Sequence, residues 1–274
     1  MLVNGLPGNT ISIRDRGLLY GDGVFRTLSV VRGKALHWSL HYLKLQHDCA
    51  KLDIACPDEA LLLAELDRVL AQHPDGVVKL IVTRGEGARG YAPAVDATPT
   101  RIWDFSPQPD YPREWATQGI KAHMCQIRLP AQPRLACVKH LNRLENVLAA
   151  AELRDVQTHD RDIAEGLLLD AEGHVIEGTR SNLFAVSQGH LLTPDLSRCG
   201  VAGIQRGRVI AWALQHGMPL QVRDIGLDEA QHADELFVVN SVIGLWPIRA
   251  LGQRHWSHFP VAEKIRTALE REEC

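Results

Sequence analysis

The sequence predicts a mixed α/β protein of two lobes, and three observations support this fold class. Segments typical of strands alternate with segments typical of helices along most of the 274 residues. A proline-rich break, Ser106–Pro112, interrupts this alternation. With 45% hydrophobic and 23% charged residues, the composition is that of a folded globular protein, and the length suits about two domains.

The first part of the chain is expected to contain two strands and two helices. We place them at Val24–Val31, Ser39–Leu52, Pro57–Leu70 and Gly76–Arg84. Ser39 is a good N-cap residue for the first helix. Pro57 begins the second helix, because proline is favoured in a first turn and the acids that follow it suit the helix dipole.

The break at Ser106–Pro112 contains three prolines in seven residues, which allow neither a helix nor a paired strand. We therefore predict a smaller N-terminal domain at residues 1–107, a linker at 108–115 and a larger C-terminal domain at 116–274.

The second part begins with a strand at Ile120–Leu129 and a helix at Asn142–Val156. Three short strands with glycine-containing turns between them predict antiparallel hairpins at Leu167–Leu169, His174–Glu177 and Asn182–Val186. The remaining elements are predicted as helices at Gly203–Gly217 and Val261–Glu272 and strands at Leu220–Ile225 and Glu235–Asn240.

Charge and composition narrow the function classes. Thirty Lys and Arg against 33 Asp and Glu leave no basic excess for a nucleic-acid backbone. No apolar run approaches the roughly 18 residues of a membrane span, and the first residues do not resemble a secretion signal. The six cysteines and 13 histidines show no metal-ligand spacing. We expect reduced thiols, no metal, a cytoplasmic location and a small-molecule substrate.

Lysine is scarce, with seven against 23 arginines, and Lys139 lies in an unusual place. It follows the apolar stretch Leu135–Val138 and precedes a predicted helix. Loss of water there would favour the neutral amine that a Schiff base requires. The alternative is a lysine at a strand end whose ammonium reaches solvent.

Two further features suit a bound pyridine ring and its phosphate. Glu177 follows two β-branched residues at a strand end, where a carboxylate can keep a pyridine nitrogen protonated. An edge-strand acid in water is the alternative. The glycine-containing turn Gly200–Arg206 leads into a helix, and backbone N–H groups at a helix start bind phosphate.

Together these elements resemble the fold-type IV pyridoxal-phosphate enzymes, and within that family the aminodeoxychorismate lyases. The resemblance extends along nearly the whole chain. The motifs that carry it are Asp15–Gly17, Tyr20–Phe25, Arg84–Tyr91, Lys139–Glu145, Glu177–Phe184 and Gly200–Arg206. The stretches at Arg84–Tyr91 and Lys139–Glu145 favour the lyases, whereas the lysine, the glutamate and the glycine turn Gly200–Ile204 are shared with transaminases of the fold type.

The resemblance implies a D-amino-acid-aminotransferase-like fold with the cofactor, pyridoxal 5'-phosphate, held between the lobes of a homodimer subunit. Lys139 would be the catalytic residue and hold the cofactor as an imine, and Glu177 would pair with its pyridine nitrogen. The remaining cofactor-binding positions would be Lys44, Asn182, Ile204, Gln205 and Ser241. Lys44 stands where the family usually has arginine, so the phosphate would meet a single ammonium instead of a bidentate guanidinium.

The implied reaction converts 4-amino-4-deoxychorismate to 4-aminobenzoate and pyruvate in folate biosynthesis, with Arg89 and Tyr91 as candidates for binding the substrate carboxylates. One alternative is a D-amino-acid or branched-chain transaminase of the same fold, which needs a keto-acid partner. Another is a cofactor-free binding protein, which would be colourless.

Overall fold

The computed structural model describes residues 1–272, which form two compact units. The first consists of Met1–Asp110 together with Val138–Asn142, and the second of Tyr111–Cys137 together with Arg143 onward. No pattern in the sequence indicated that the short stretch containing Lys139 would group with the first unit. The boundary at residues 108–115 stays a prediction.

The first unit is an antiparallel sheet with helices packed on it. Its elements are β1 Leu2–Val3, β2 Leu6–Pro7, α1 Arg16–Tyr20, β3 Gly23–Val31, β4 Lys34–Ala35, α2 Trp38–Lys51, α3 Glu59–Leu70, β5 Gly76–Thr83 and β6 Thr100–Ser106. The strand order is β2-β1-β6-β5-β3-β4.

Strand β3 shows how the sequence sets the two faces of this sheet. Val24 and Leu28 are fully buried, whereas the alternate positions Phe25 and Thr27 are only half-buried. The buried face packs with apolar side chains of α2 and α3, among them Leu45 and Leu62. Burial of such side chains stabilises the unit by about 1.5–3 kcal/mol each.

The second unit is built on a larger mixed sheet. Its elements are α4 Trp115–Gln118, β7 Ile120–Leu129, α5 Leu144–Gln157, β8 Ile163–Asp170, β9 Val175–Gly178, β10 Asn182–Ser187, β11 His190–Pro194, α6 Ile204–Gln215, β12 Leu220–Arg223, α7 Leu227–His232, β13 Glu235–Asn240, β14 Gly244–Leu251, β15 Arg254–His255 and α8 Pro260–Arg271.

The larger sheet closes on itself. Its path runs β12-β11-β10-β13-β14-β7-β8-β9, and β9 also pairs with β10. The β7–β8 and β7–β14 pairs are parallel, and the predicted hairpins of β8, β9 and β10 are antiparallel. Closure gives β9 a second partner strand, and the residue pair that joins β9 to β10 is Glu177 opposite Asn182.

Both units combine helices with sheet, so the predicted mixed class is confirmed. Among residues 1–272, every helix falls short of the length and apolar character that a membrane crossing needs. The cysteines of this range form no disulfide with one another, and Cys274 lies outside the described residues.

The predicted helix starts need correction. Helix α2 begins at Trp38, one residue before Ser39, so its N-cap is His37. The His37 side chain makes no cap hydrogen bond. The N-cap of α3 is Asp58, whose side chain accepts from the N–H groups of Ala60 and Leu61, so Pro57 precedes the helix. The strands β6, β11 and β14, the helices α1, α4 and α7 and the two-residue strands β1, β2, β4 and β15 were not predicted.

Removal of the Asp58 cap should destabilise the protein measurably. Asp58→Ala leaves two N–H groups of α3 without their acceptor, and we expect a loss of about 1 kcal/mol in the free energy of unfolding. Ser39→Ala is the matched control, with an expected change within about 0.5 kcal/mol because Ser39 caps nothing. Urea denaturation measures both. Equal effects of the two substitutions would contradict the assignment of the cap.

Candidate active site

Lys139 lies on an extended segment that pairs with the beginning of β3. The Phe25 N–H donates to the Lys139 carbonyl at 2.9 Å, and the Leu141 N–H donates to the Gly23 carbonyl at 2.9 Å. Strand β4 pairs with β3 only at Val30 and Val31, so this part of the β3 edge is open to the segment. The position of Lys139 is therefore set by backbone hydrogen bonds.

The Lys139 amine lies over an aromatic ring. Its Nζ is 5.0 Å from the centroid of the Phe25 ring, and the Nζ of Lys79 is 4.9 Å from the same centroid. The two nitrogens are therefore no more than about 10 Å apart. In the sequence, Phe25 was only the last residue of a motif, and Lys79 had no assigned role.

Lys44 is held by a carboxylate of its own helix. Its Nζ lies 2.7 Å from Oδ1 of Asp48, one helical turn further on, and its side chain is 16% exposed. Asp48 is fully buried and also contacts the Arg26 guanidinium and the Lys139 N–H. The predicted contact of Lys44 with a phosphate stays a prediction, and in this structure its charge is partly offset by Asp48.

His41 is buried in the same region. Burial, followed by the nearby charges of Arg26, Lys139 and His37, lowers the pKa of its imidazole to about 3. His41 is therefore neutral at physiological pH and adds no positive charge beside Lys139.

Glu177 and Asn182 face each other on β9 and β10, and both hold the loop that precedes α6. Oε2 of Glu177 accepts from the Val201 N–H at 2.7 Å. The Asn182 amide donates to the Val201 carbonyl at 2.7 Å and accepts from the Gly203 N–H at 3.0 Å. Both side chains are at most 5% exposed. The structure thus brings these two predicted residues together with the predicted glycine turn.

The loop requires glycine at two points. Gly200 has φ 84°, which favours glycine, and a Cβ on Gly203 would lie 2.5 Å from Oδ1 of Asn182. Gly203 is the N-cap of α6 and provides no side chain to cap it. The first-turn N–H groups, including those of Ile204 and Gln205, have no acceptor within the helix, and such a helix start binds an anion.

The turn between β9 and β10 is held by a second buried carboxylate, that of Glu165. Glu165 is fully buried and accepts from the Ser181 hydroxyl at 2.7 Å and the Thr179 N–H at 3.0 Å.

Burial lowers the pKa of the nearby Arg143 guanidinium, and the carboxylates of Glu177 and Glu145 oppose this shift. A guanidinium thus lies near Glu177, a neighbour that sequence analysis missed.

Ser241 lies in the turn after β13. The side chain of the preceding residue, Asn240, organises this turn by accepting from the N–H groups of Val242 and Ile243. Asn240 also donates to the Arg180 carbonyl at 3.1 Å. The turn is therefore ordered, and the phosphate contact of Ser241 stays a prediction.

Arg89 and Tyr91 belong to an exposed loop of the first unit that is held by its main chain. Arg16 donates to the carbonyls of Gly90 at 3.0 Å and Tyr91 at 2.6 Å, and it pairs with Asp22. Burial raises the pKa of Asp22, but hydrogen bonds from Arg84 and Arg16 outweigh it and hold that pKa low. The Tyr91 side chain is 86% exposed, which leaves it available to a ligand.

Comparison with known proteins identifies the family. The family model described as Amino-transferase class IV matches residues 23–251. The chain belongs to this family. An aminodeoxychorismate lyase from Vibrio harveyi is 34% identical over 266 residues, which cover 96% of each chain. A D-alanine aminotransferase from Bacillus licheniformis is 26% identical over 95% of this chain and 90% of its own.

A crystal structure of 4-amino-4-deoxychorismate lyase from Pseudomonas aeruginosa is similar throughout. It is 46% identical to this class IV chain and has a TM-score of 0.93, covering 99% of this chain and 98% of its own. The resemblance stated from the motifs and the fold predicted from it are confirmed.

The pH dependence of stability should contain a contribution from His41. Its folded-state pKa lies far below 6.5, so below pH 6.5 the unfolded chain binds a proton that the folded protein does not. The contribution of neutral His41 to the free energy of unfolding is therefore complete above pH 6.5 and is lost as the pH falls below that value. Between pH 6 and 5, we expect the wild type to lose about 1 kcal/mol more than His41→Gln. Urea titrations at both pH values measure this, and parallel losses would contradict it.

Proposed function

We propose that this chain is a pyridoxal-phosphate lyase that converts 4-amino-4-deoxychorismate to 4-aminobenzoate and pyruvate, a step of folate biosynthesis. The observation that carries the proposal is the similarity, 46% identical over 99% of the chain, to the lyase of Pseudomonas aeruginosa. The aminotransferase from Bacillus licheniformis is 26% identical. This function agrees with the prediction from the sequence motifs.

Pyridoxal phosphate is the cofactor of the family, as predicted, and the residues present fit it. Lys139 provides the amine, and Glu177 provides a buried carboxylate for the pyridine nitrogen, with Oε1 outside its bond to Val201. The phosphate suits the uncapped first turn of α6 at Ile204 and Gln205, with Ser241 and Lys44 as further contacts. Asn182 acts by holding the loop that presents this turn.

Each residue of the proposed site has a separate role in the reaction. When bound, the cofactor supplies an electron-withdrawing ring that accepts the electron pair left behind at the substrate carbon. The neutral Nζ of Lys139 removes the proton from C4 of the substrate and returns a proton to the departing enolpyruvyl group. Glu177 keeps the pyridine nitrogen protonated. Arg89 and Tyr91 bind the substrate carboxylates. Formation of the aromatic ring supplies the driving force.

We also propose a homodimer, as the family resemblance implies, and a cytoplasmic location, as the sequence predicts. Leu144, Val147 and Leu148 of α5 are 73%, 59% and 58% exposed, and their spacing places them on one helix face. A row of exposed apolar side chains favours association with a second copy. Sedimentation velocity measures the oligomeric state, and cell fractionation measures the location.

The product assay tests the function. With aminodeoxychorismate and no keto acid, the purified protein should release equal amounts of 4-aminobenzoate and pyruvate, and Lys139→Ala should reduce the rate by about a thousandfold or more. After borohydride reduction, mass spectrometry should place the cofactor on Lys139. Lys79→Ala is the matched control and should keep that label. Amino transfer to 2-oxoglutarate without 4-aminobenzoate would instead establish the transaminase.

Glu177→Gln should separate cofactor binding from chemistry. The amide occupies the same volume but cannot hold the pyridinium proton, so we expect full cofactor loading with a rate lower by about a hundredfold. Glu172→Gln, an exposed glutamate before the same strand, should keep the wild-type rate. Cofactor absorbance and the product assay measure the two properties. A fully active, fully loaded Glu177→Gln would show that Glu177 is only structural.

A further inference from the structure

Asp48 is a buried carboxylate to which the sequence analysis and the proposed mechanism assign no role. Its side chain is fully buried on the face of α2 that packs against β3. A carboxylate without water requires charged or hydrogen-bonding partners. Asp48 contacts the Arg26 guanidinium from β3, Nζ of Lys44 at 2.7 Å and Nδ1 of His47 at 3.1 Å.

The remaining contact of Asp48 reaches the reactive lysine through its backbone. The Lys139 N–H donates to Oδ2 of Asp48 at 3.0 Å, and the Lys139 carbonyl accepts from the Phe25 N–H at 2.9 Å. Both backbone groups of Lys139 are therefore bound, one to α2 and the other to β3. This arrangement fixes the Cα from which the amine extends.

Several basic groups lie around Asp48. Arg26 and Lys44 bring two positive charges to one carboxylate, and Lys139 is a third basic group. His41 is neutral because its pKa is about 3, and the pKa of His47 is also lowered, by burial and then by Lys44. Removal of Asp48 would take one negative charge away from beside Arg26, Lys44 and Lys139, which disfavours any further positive charge there.

We propose that Asp48 is a positioning residue for Lys139: it fixes the lysine backbone and offsets Arg26 and Lys44, so that the lysine–cofactor linkage keeps its proton near neutral pH. The inference rests on the proposed function only in requiring that Lys139 binds the cofactor. The other titratable and charged groups of the elements packed around this region include Lys79 on β5, His37 before α2, Cys49 and Lys51 on α2, and His140 next to Lys139.

The experiment titrates the linkage in the cofactor-loaded protein by absorbance from about pH 5 to 10, because its protonated and unprotonated forms absorb differently. Asp48→Asn keeps an oxygen that can accept the Lys139 N–H but removes the charge. We expect its linkage to lose the proton about one pH unit lower than the wild type, a tenfold change in proton affinity. Asp48→Ala should show the same shift and also form the linkage more slowly.

Two further variants separate this role from simple destabilisation. Glu65→Gln removes another buried carboxylate of the same unit, which pairs with Arg101 and Trp103, and should leave the titration unchanged while lowering the melting temperature. Lys44→Met removes one of the two cations and keeps Asp48, so its linkage should hold the proton to a higher pH. It also provides the test if Asp48→Asn does not fold.

The outcomes are distinct. Shifts of opposite sign for Asp48→Asn and Lys44→Met support the inference. A folded, loaded Asp48→Asn that titrates like the wild type, or an unshifted Lys44→Met, overturns it. If the wild type forms no linkage on Lys139, the proposed function fails instead, and borohydride labelling of the wild type reports that failure separately.

Discussion

The pairing of Glu177 with Asn182 is the constraint on which most of the second unit depends. This pair joins β9 to β10 and so closes the sheet, and the same two side chains bind the loop before α6. The same two residues therefore close the sheet and hold the loop that leads to the N-terminus of α6. The Glu177 carboxylate and the first N–H groups of α6, which we propose bind the pyridine nitrogen and the phosphate, reach fixed positions because the sheet closes there.

The first unit uses a comparable device for Lys139. A short segment extends the edge of β3, and a buried acid on α2 binds the remaining backbone group of the lysine. In both units, a buried carboxylate binds a backbone N–H group and so holds the main chain in place. A rigid frame around a reactive group lowers the entropy that has to be lost before reaction.

The motifs predicted the family, which the comparisons confirm, whereas the roles assigned to Lys139, Glu177 and the glycine turn stay predictions. Asp48 and Arg26 escaped prediction because their importance depends on which faces of α2 and β3 meet. Strand β14 was missed since Pro247 disfavours a strand and a register irregularity follows it. Strand β6 was missed because it places charged residues, Arg101 and Asp104, on both faces and so weakens the alternation. Ser39 was misassigned as a cap because a good capping residue also occurs inside helices.

The hold of Arg16 on the loop at Gly90 and Tyr91 has a consequence for evolution. The Arg16 guanidinium donates hydrogen bonds to backbone carbonyl oxygens, which every residue has. The contribution of Arg16 to the path of the loop is thus independent of the side chains that the loop displays, whereas the Tyr91 ring also contacts the Tyr20 ring. Ala88 and Arg89 can therefore vary while the contacts of Arg16 remain, so a lineage can acquire new substrate preferences here through single substitutions, and a library randomised at these two positions explores specificity on an intact frame.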